Sequence, residues 1–334
     1  MRDMTGSFRW GIAGTGRIAH DFTLALRDVD GAAVAAVASR TGSRADEFAD
    51  EHGIRSRHGS YEALAEDPSV DVVYVATPHS RHESDALLFL EAGKHVLCEK
   101  PFALNERQAR RMVDAARRRG VFLMEALWSR FLPAYGTIRS LIDEGGIGEP
   151  RFVDGEFGFR VPTVEPEHRL FNPALGGGSL LDLGVYPLHL ATMVLGLPVS
   201  VTAKAALCST GVDETVVATL GYDDGALAVV TSSLALNLRG GARIVGTEGA
   251  ITLTPPMHHP DRLTVVSASG AEHIECPPDG AGLAAQAREV HRCLEVGALE
   301  SSTLPLDETC GVMAVLDEIR MRIGVRYPAD DEIN

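Results

Sequence analysis

Apolar and polar positions divide the chain into two stretches with different rhythms. Over the first 126 residues, apolar runs at 8–13, 32–39, 72–76, 95–98 and 121–125 read as buried parallel strands. Residues 46–52, 79–92 and 105–119 between them read as helices. The last has Asn105 as a cap candidate, Gln108 three residues on, and Gly120 just past its end. This strand–helix alternation predicts an α/β domain built on a doubly wound parallel sheet.

After Trp128 the rhythm changes. A helix over 133–144 leads through Gly145-Gly146 to a strand-like 151–160. A long polar loop, 161–175, then meets Gly176-Gly177-Gly178 and a helical segment over 179–195. Alternating runs at 215–222, 226–234, 250–253 and 263–267, punctuated by Asp224-Gly225 and Glu248-Gly249, read as half-buried strands. Helices near 282–295 and 306–323 close the chain. The second part is expected to be an α+β domain with a large open, mostly antiparallel sheet and helices on one face. The boundary falls between a first domain, 1–127, and a second, 128–334.

Composition fits two globular domains: 334 residues, 45% hydrophobic and 23% charged. The net charge of −15, from 46 acidic against 31 basic residues, argues against nucleic-acid and membrane-surface partners. Residues 1–7 are a short polar lead-in rather than a signal sequence, and no segment is expected to reach the roughly 18 apolar residues of a membrane span. Five scattered cysteines, never spaced Cys-x-x-Cys, read as reduced thiols in a cytoplasm without structural zinc. The pair His258-His259 lacks spaced partners, so no metal is expected. The arginines of 107–119 are interleaved with Glu106 and Asp114 and read as a solvated face.

Candidate chemistry starts at Gly14-Thr15-Gly16-Arg17-Ile18-Ala19, between the first strand and a helix. In that context Gly14 permits a tight turn, and Gly16 lets backbone N–H groups approach a pyrophosphate at the helix N-terminus. The end of the second strand carries Ser39-Arg40, with Thr41 and Arg44 nearby, where an NAD site usually carries Asp or Glu. Arg40 can pair with a 2′-phosphate, which favours NADP over NAD. Two further strands end in Thr77-Pro78-His79 and Glu99-Lys100-Pro101. Both face the side of a parallel sheet where ligands bind, and Pro101 is a candidate for a cis bond holding Lys100 in place.

These motifs, in this order, resemble the Gfo/Idh/MocA oxidoreductases. The hallmark is Glu99-Lys100-Pro101 after Gly93-Lys94-His95-Val96-Leu97-Cys98, preceded by Thr77-Pro78 and a histidine at His82. The resemblance covers almost the whole chain. It sharpens toward the dimeric dihydrodiol and NADP D-xylose dehydrogenase branch at MEALWSRFLPA (124–134) and GGGSLLDLGVYP (176–187). So does the ending from Leu304 through Pro328. It implies a Rossmann domain and an NADP-linked dehydrogenase of a secondary alcohol or sugar hemiacetal, with Lys100, Asp182 and Tyr186 as the catalytic set. It further implies nucleotide contacts at Thr77, His79, His82, Glu99 and Lys100, and substrate contacts at Trp128 and Arg130. Association as a homodimer, or a higher homo-oligomer, through the second domain's sheet follows from the same resemblance.

In a helix over 179–195, Asp182, Tyr186 and His189 fall on one stripe, and Gly184 and Pro187 should bend it. Ser179-x-x-Asp182 also fits a capping box, and Tyr186 could be a packed core tyrosine. For proton transfer, a tyrosine with its ordinary pKa of about 10 is a poor base near neutrality. The Lys100 ammonium would favour its phenolate, and Glu99 would tune the cluster. Arg160, Arg169 and Asn172, on the loop before the glycines, could contact a polyol. The leading substrates are an aldose such as xylose or glucose, another polyol, or a cyclic trans-dihydrodiol. The rivals are a non-catalytic NADP sensor on the same fold and an oxidoreductase that never releases its NADP.

Overall fold

A computed structural model of the chain describes residues 7–331; residues 1–6, which hold most of the polar lead-in, and 332–334 lie outside the described residues. The chain forms two compact units, and the division is not a single cut. The first runs to Ala103 and takes in Arg107–Trp128 and Asp279–Cys310. The second comprises Leu104–Glu106, Ser129–Pro278 and the chain from Gly311 on.

In the first unit, strands β1 (Phe8–Ala13), β2 (Ala32–Ala38), β3 (Ser56–His58), β4 (Val72–Val75), β5 (His95–Glu99) and β6 (Leu123–Ala126) form a parallel sheet. Their order is β3-β2-β1-β4-β5-β6. Helices α1 (Arg17–Ala25), α2 (Gly42–His52), α3 (Tyr61–Ala65), α4 (His82–Glu91) and α5 (Glu106–Arg119) connect them. The middles of the central strands are apolar because both faces are covered: Trp10, Ile12, Val73, Tyr74 and Leu97 have no exposed surface. Each such Val or Leu contributes about 2 kcal/mol of burial. Phe22 of α1 stacks on Tyr74 at 3.9 Å and meets Trp10 edge-on at 5.4 Å. Trp10 Nε1 donates to Nε2 of His291 (3.0 Å), carried by the late helix Ala284–Glu295. The strand β3 and the one-turn α3 have too few residues to set a period, so the sequence pattern did not announce them.

Along α5 the arginines are ion-paired rather than merely solvated. Arg111 meets Glu83, Arg117 meets Glu300 and Asp307, and Arg118 and Arg119 meet Glu91. Exposed pairs of this kind add little stability.

The second unit holds an eight-stranded sheet. Its strands are β7 (Pro150–Gly158), β8 (Ser200–Leu207), β9 (Asp213–Gly221), β10 (Leu227–Ser233), β11 (Ala242–Gly246), β12 (Gly249–Leu253), β13 (Arg262–Ser267) and β14 (Gly270–Glu275). The order is β14-β13-β12-β11-β7-β10-β9-β8, antiparallel except that β7 and β10 run parallel. Helix α6 (Pro133–Asp143) precedes β7. Residues Leu180–Gly184 form a π-helical turn that runs into α7 (Val185–Leu195). Helix α7 lies against β7 and β10 because two glycines admit it. A Cβ at Gly155 of β7 would sit 2.8 Å from Pro187 Cβ, and one at Gly184 would sit 3.1 Å from Ser232 Oγ.

Strand alternation gives this sheet one buried face, with Val153, Val216, Ala218, Ala228 and Val230 inward. Its other face is mixed. Val217 and Val266 are 44% and 46% exposed, but they share that face with Asp154, Lys204 and Arg243.

One expectation is corrected. Pro173–Leu195 is long and apolar enough, by length and composition, to cross a membrane. The Leu-rich glycine segment and α7 supply that hydropathy together, and 83% of the apolar window is buried inside the protein, as befits a core helix. All five cysteines are buried.

Candidate active site

The first unit brings the predicted nucleotide residues to one edge. In sheet order, β2 ends at Ser39-Arg40, β1 at Gly14, β4 at Thr77 and β5 at Glu99-Lys100, so four consecutive strands deliver their carboxyl ends side by side. Backbone bonds tie these ends together: Gly14 N donates to Ala38 O (2.9 Å) and Ala76 N to Ala13 O (2.9 Å). Gly14 has φ +108°, and a Cβ there would lie 2.6 Å from Ala76 O. Gly16 precedes α1 with open space where a side chain would be, and no side chain caps the helix. The first N–H groups of α1 are thus left to an outside acceptor. Thr77 Oγ1, at the end of β4, is buried without a hydrogen-bond partner. A glycine cradle, an uncapped helix N-terminus and an orphaned hydroxyl fit a dinucleotide. Arg40 and Arg44 are exposed beside it, and Arg17, also exposed, lies 3.8 Å from Asp21.

The Glu-Lys-Pro segment is braced from within. Glu99 is buried; it accepts a short hydrogen bond from Tyr74 Oη, and its Oε2 accepts from the Lys100 N–H (3.2 Å). Burial pushes its carboxyl up to about 7, against the opposing pull of the Tyr74 bond and the Lys100 charge. Glu125, at the end of β6 and 1% exposed, accepts from Phe102 N (3.1 Å) and from the Thr309 hydroxyl (3.4 Å). The Lys100–Pro101 bond is cis, as the sequence suggested.

His82 is fully buried, with Nδ1 2.8 Å from Pro101 O and Nε2 2.9 Å from Thr77 O. Both neighbours are carbonyls and only accept, so they favour a charged ring. Burial outweighs them and lowers its pKa. The His82 ring is thus held between two backbone carbonyls, and the Glu99 carboxyl between the Tyr74 hydroxyl and the Lys100 N–H. His79 lies in the turn before α4, its ring edge-on to His82 at 5.6 Å. Lys100 itself is half-buried at the tip of β5.

In the second unit, Asp182 sits in the π-helical turn and Tyr186 in the first turn of α7. Arg169 donates to Asp182 Oδ1 (2.9 Å), which joins two residues the sequence had assigned to separate roles. The capping-box alternative for Asp182 does not hold. Ser179 Oγ and Leu180 N donate instead to Asp213 Oδ2 of β9 (2.9 and 2.7 Å), so the turn is capped from across the sheet. Burial pushes Asp213 up to about 6, against those two bonds. Tyr186 is 5% exposed, with the Phe157 ring at 5.6 Å and the His258 ring at 5.2 Å. Phe157 and His258 stack on each other at 4.3 Å, which gives His258 the role of a wall beside Tyr186. Asn172 Oδ1 accepts from Ala174 N (2.9 Å) and is occupied by its own turn. Arg130 and His189 are buried, and Trp128 opens the short turn Trp128–Phe131.

Comparison with known proteins accounts for this arrangement. Residues 8–127 match the model of an oxidoreductase family with an NAD-binding Rossmann fold, and residues 135–252 match the GFO/IDH/MocA C-terminal domain. The chain belongs to the Gfo/Idh/MocA oxidoreductase family. It is 41% identical to a zebrafish (Danio rerio) protein named trans-1,2-dihydrobenzene-1,2-diol dehydrogenase, over 98% of this chain and 100% of that one. The aldose-aldose oxidoreductase of Caulobacter crescentus, solved with glycerol, is 26% identical with a TM-score of 0.87, covering 95% and 97% of the two chains. A 3-ketoreductase of Actinomadura kijaniata, solved with TDP-benzene and NADP, is 27% identical with a TM-score of 0.82, covering 95% and 98%. As a member of this family the chain is an NAD(P)-dependent oxidoreductase acting on CH–OH groups.

Proposed function

We propose that the protein is an NADP-dependent dehydrogenase of a secondary alcohol or hemiacetal carbon in a sugar, polyol or cyclic trans-dihydrodiol. The observation that carries this reading is the bracing of Lys100. Glu99, His82 and Glu125 each hold a backbone group of residues 100–102, a degree of fixation that packing alone does not require. A backbone fixed in this way sets the point from which the lysine side chain extends, as a preorganised site needs.

When bound, the nicotinamide takes up or gives back the hydride. Gly14, Thr15, Gly16, Arg17 and Ile18 hold its pyrophosphate, and Ser39, Arg40 and Arg44 hold the adenosine end, with Arg40 on the 2′-phosphate. In the oxidation direction the Tyr186 phenolate takes the alcohol proton at Oη and becomes the neutral phenol, and the role of the Lys100 ammonium is to favour that phenolate beforehand. Asp182, oriented by Arg169, accepts from a substrate hydroxyl and fixes the substrate's orientation. The names of the zebrafish and Caulobacter relatives support diols and aldoses as the substrates to try first. A homodimer through the open sheet is part of the same reading, as is a reducing, cytoplasmic compartment suited to five scattered, buried cysteines.

The test is a panel of aldoses, polyols and trans-dihydrodiols with NADP, followed by Tyr186→Phe on the best substrate. The variant should keep NADP affinity and lose about 100- to 10,000-fold in kcat. Lys100→Met should lose turnover too, and the double variant should cost far less than the product of the two. A Tyr186→Phe rate within a few-fold of the parent at saturating substrate would show that another group carries the proton.

A further inference from the structure

Away from the nucleotide edge, the first unit brings together three side chains that the proposed reaction does not use. His20 on α1 and Glu51 and His52 on α2 turn their donor atoms toward one another. His20 Nδ1 lies 2.8 Å from His52 Nε2 and 3.4 Å from Glu51 Oε1, and the last two atoms are 3.9 Å apart. We propose that His20, Glu51 and His52 form a binding site for a divalent transition-metal ion of the zinc class.

The geometry sets the scale. A point equidistant from the corners of a triangle with those sides lies about 2.0 Å from each, within the range of zinc–imidazole and zinc–carboxylate bonds. Two nitrogens and one oxygen suit zinc, cobalt, nickel or copper, whereas magnesium and calcium prefer all-oxygen shells. Two histidines and one glutamate supply three ligands, the exposed side of Glu51, 63% accessible, gives solvent access to the remaining positions, and a tetrahedral ion would part the two ring nitrogens from 2.8 Å to about 3.3 Å.

The surroundings prepare the site. Phe48 packs against both imidazoles, at 4.4 Å from His20 and 4.5 Å from His52, and fixes the planes in which they present their nitrogens. His52 Nδ1 is buried without a hydrogen-bond partner, and so is Thr23 Oγ1. Both residues line one pocket, with Leu26, Val34 and Ile54. Ligation through Nε2 places the ring proton on Nδ1, inside this pocket. An ion here cross-links α1, whose start is the Gly14–Gly16 loop, to the end of α2, which follows Arg40.

The experiment uses the untagged full-length chain stripped with a chelator and titrated with Co²⁺, whose visible absorption reports nitrogen ligation and low coordination number. The parent should bind one Co²⁺ per chain, and stoichiometric Zn²⁺ should bleach the band. His20→Ala should abolish it, and Glu51→Gln, a change at an exposed side chain, should weaken binding by about tenfold or more. A parent that binds no Co²⁺ at one per chain, or a band unchanged in both variants, would reduce the trio to a hydrogen-bonded histidine pair beside a surface carboxylate. If His20→Ala fails to fold, Glu51→Gln alone decides between these outcomes.

Discussion

Replacing Glu99 with glutamine isolates the energetic consequence of burying a carboxyl behind the Glu-Lys-Pro turn. In the folded protein its pKa is raised from 4.5 to about 7, chiefly by burial. At 1.36 kcal/mol per unit, a difference of that size is worth about 3 kcal/mol. Because the folded value lies above the unfolded one, the contribution is complete below the unfolded pKa and is lost as pH rises through about 7. Between about pH 5.5 and 8.5 the parent should lose roughly 2 kcal/mol that the Glu99→Gln variant does not, since the amide cannot ionise.

The assay is urea unfolding followed by tryptophan fluorescence. Trp10 and Trp128, the two tryptophans of the chain, both belong to the first unit, so the signal reports on the fold around residue 99. Histidines whose pKa values are lowered chiefly by burial, His52, His82, His95 and His291, titrate in both proteins and cancel in the difference. A constant offset is expected from the Tyr74 and Lys100 N–H bonds, which an amide cannot accept equally. A parent-minus-variant difference that stays flat across this pH range would refute the reasoning and show Glu99 ionised at its ordinary value.

Cofactor choice should follow Arg40. Arg40→Asp removes a cation from the end of β2 and adds a repelling charge, so the ratio of kcat/KM for NADP over NAD should fall by about tenfold or more; an unchanged ratio would show that another group reads the 2′-phosphate. Light scattering at micromolar concentration should give at least a dimer mass for the parent, and Val217→Glu, on the exposed face of β9, should shift it toward the monomer. A strictly monomeric parent would count against an interface there.

Most of the first unit was legible in the sequence, because buried parallel strands are written as continuous apolar runs and their helices begin and end at recognisable residues. Gly120, just past α5, has φ +64° as a helix-ending glycine should. The motif residues at the ends of β1, β2, β4 and β5 could be placed on one edge before any coordinates, since strand order decides that. What could not be read was the function of buried polar groups. Glu99 and Glu125 both look like charged ends of apolar strands, and only the fold shows that they bond the backbone of the turn between them. His82 carried a family signal but not its direction, which is set by carbonyls 5 residues before it and 19 after it. In the second unit, β8, β11 and β14 were missed because their residues face solvent on one or both sides and alternate weakly. Asp213 was missed because it caps a turn 33 residues earlier in the chain, a separation no local pattern encodes.

The discontinuity of the first unit has a consequence for how such a chain can be cut or recombined. A fragment ending at Trp128 would contain all six parallel strands and every residue assigned to the nucleotide. It would still leave Trp10 Nε1 facing the space where His291 supplies its acceptor, in a core where an unmet indole N–H costs about 1–3 kcal/mol. It would also strip Glu125 of the Thr309 hydroxyl. Genetic exchange of the segment Ser129–Pro278 among relatives therefore has two natural junctions, near residues 128 and 279, and exchange of the whole second unit a further one near 310. A crossover at the first junction alone would carry away Asp279–Cys310, the stretch that completes the nucleotide unit, along with the sheet it was meant to replace.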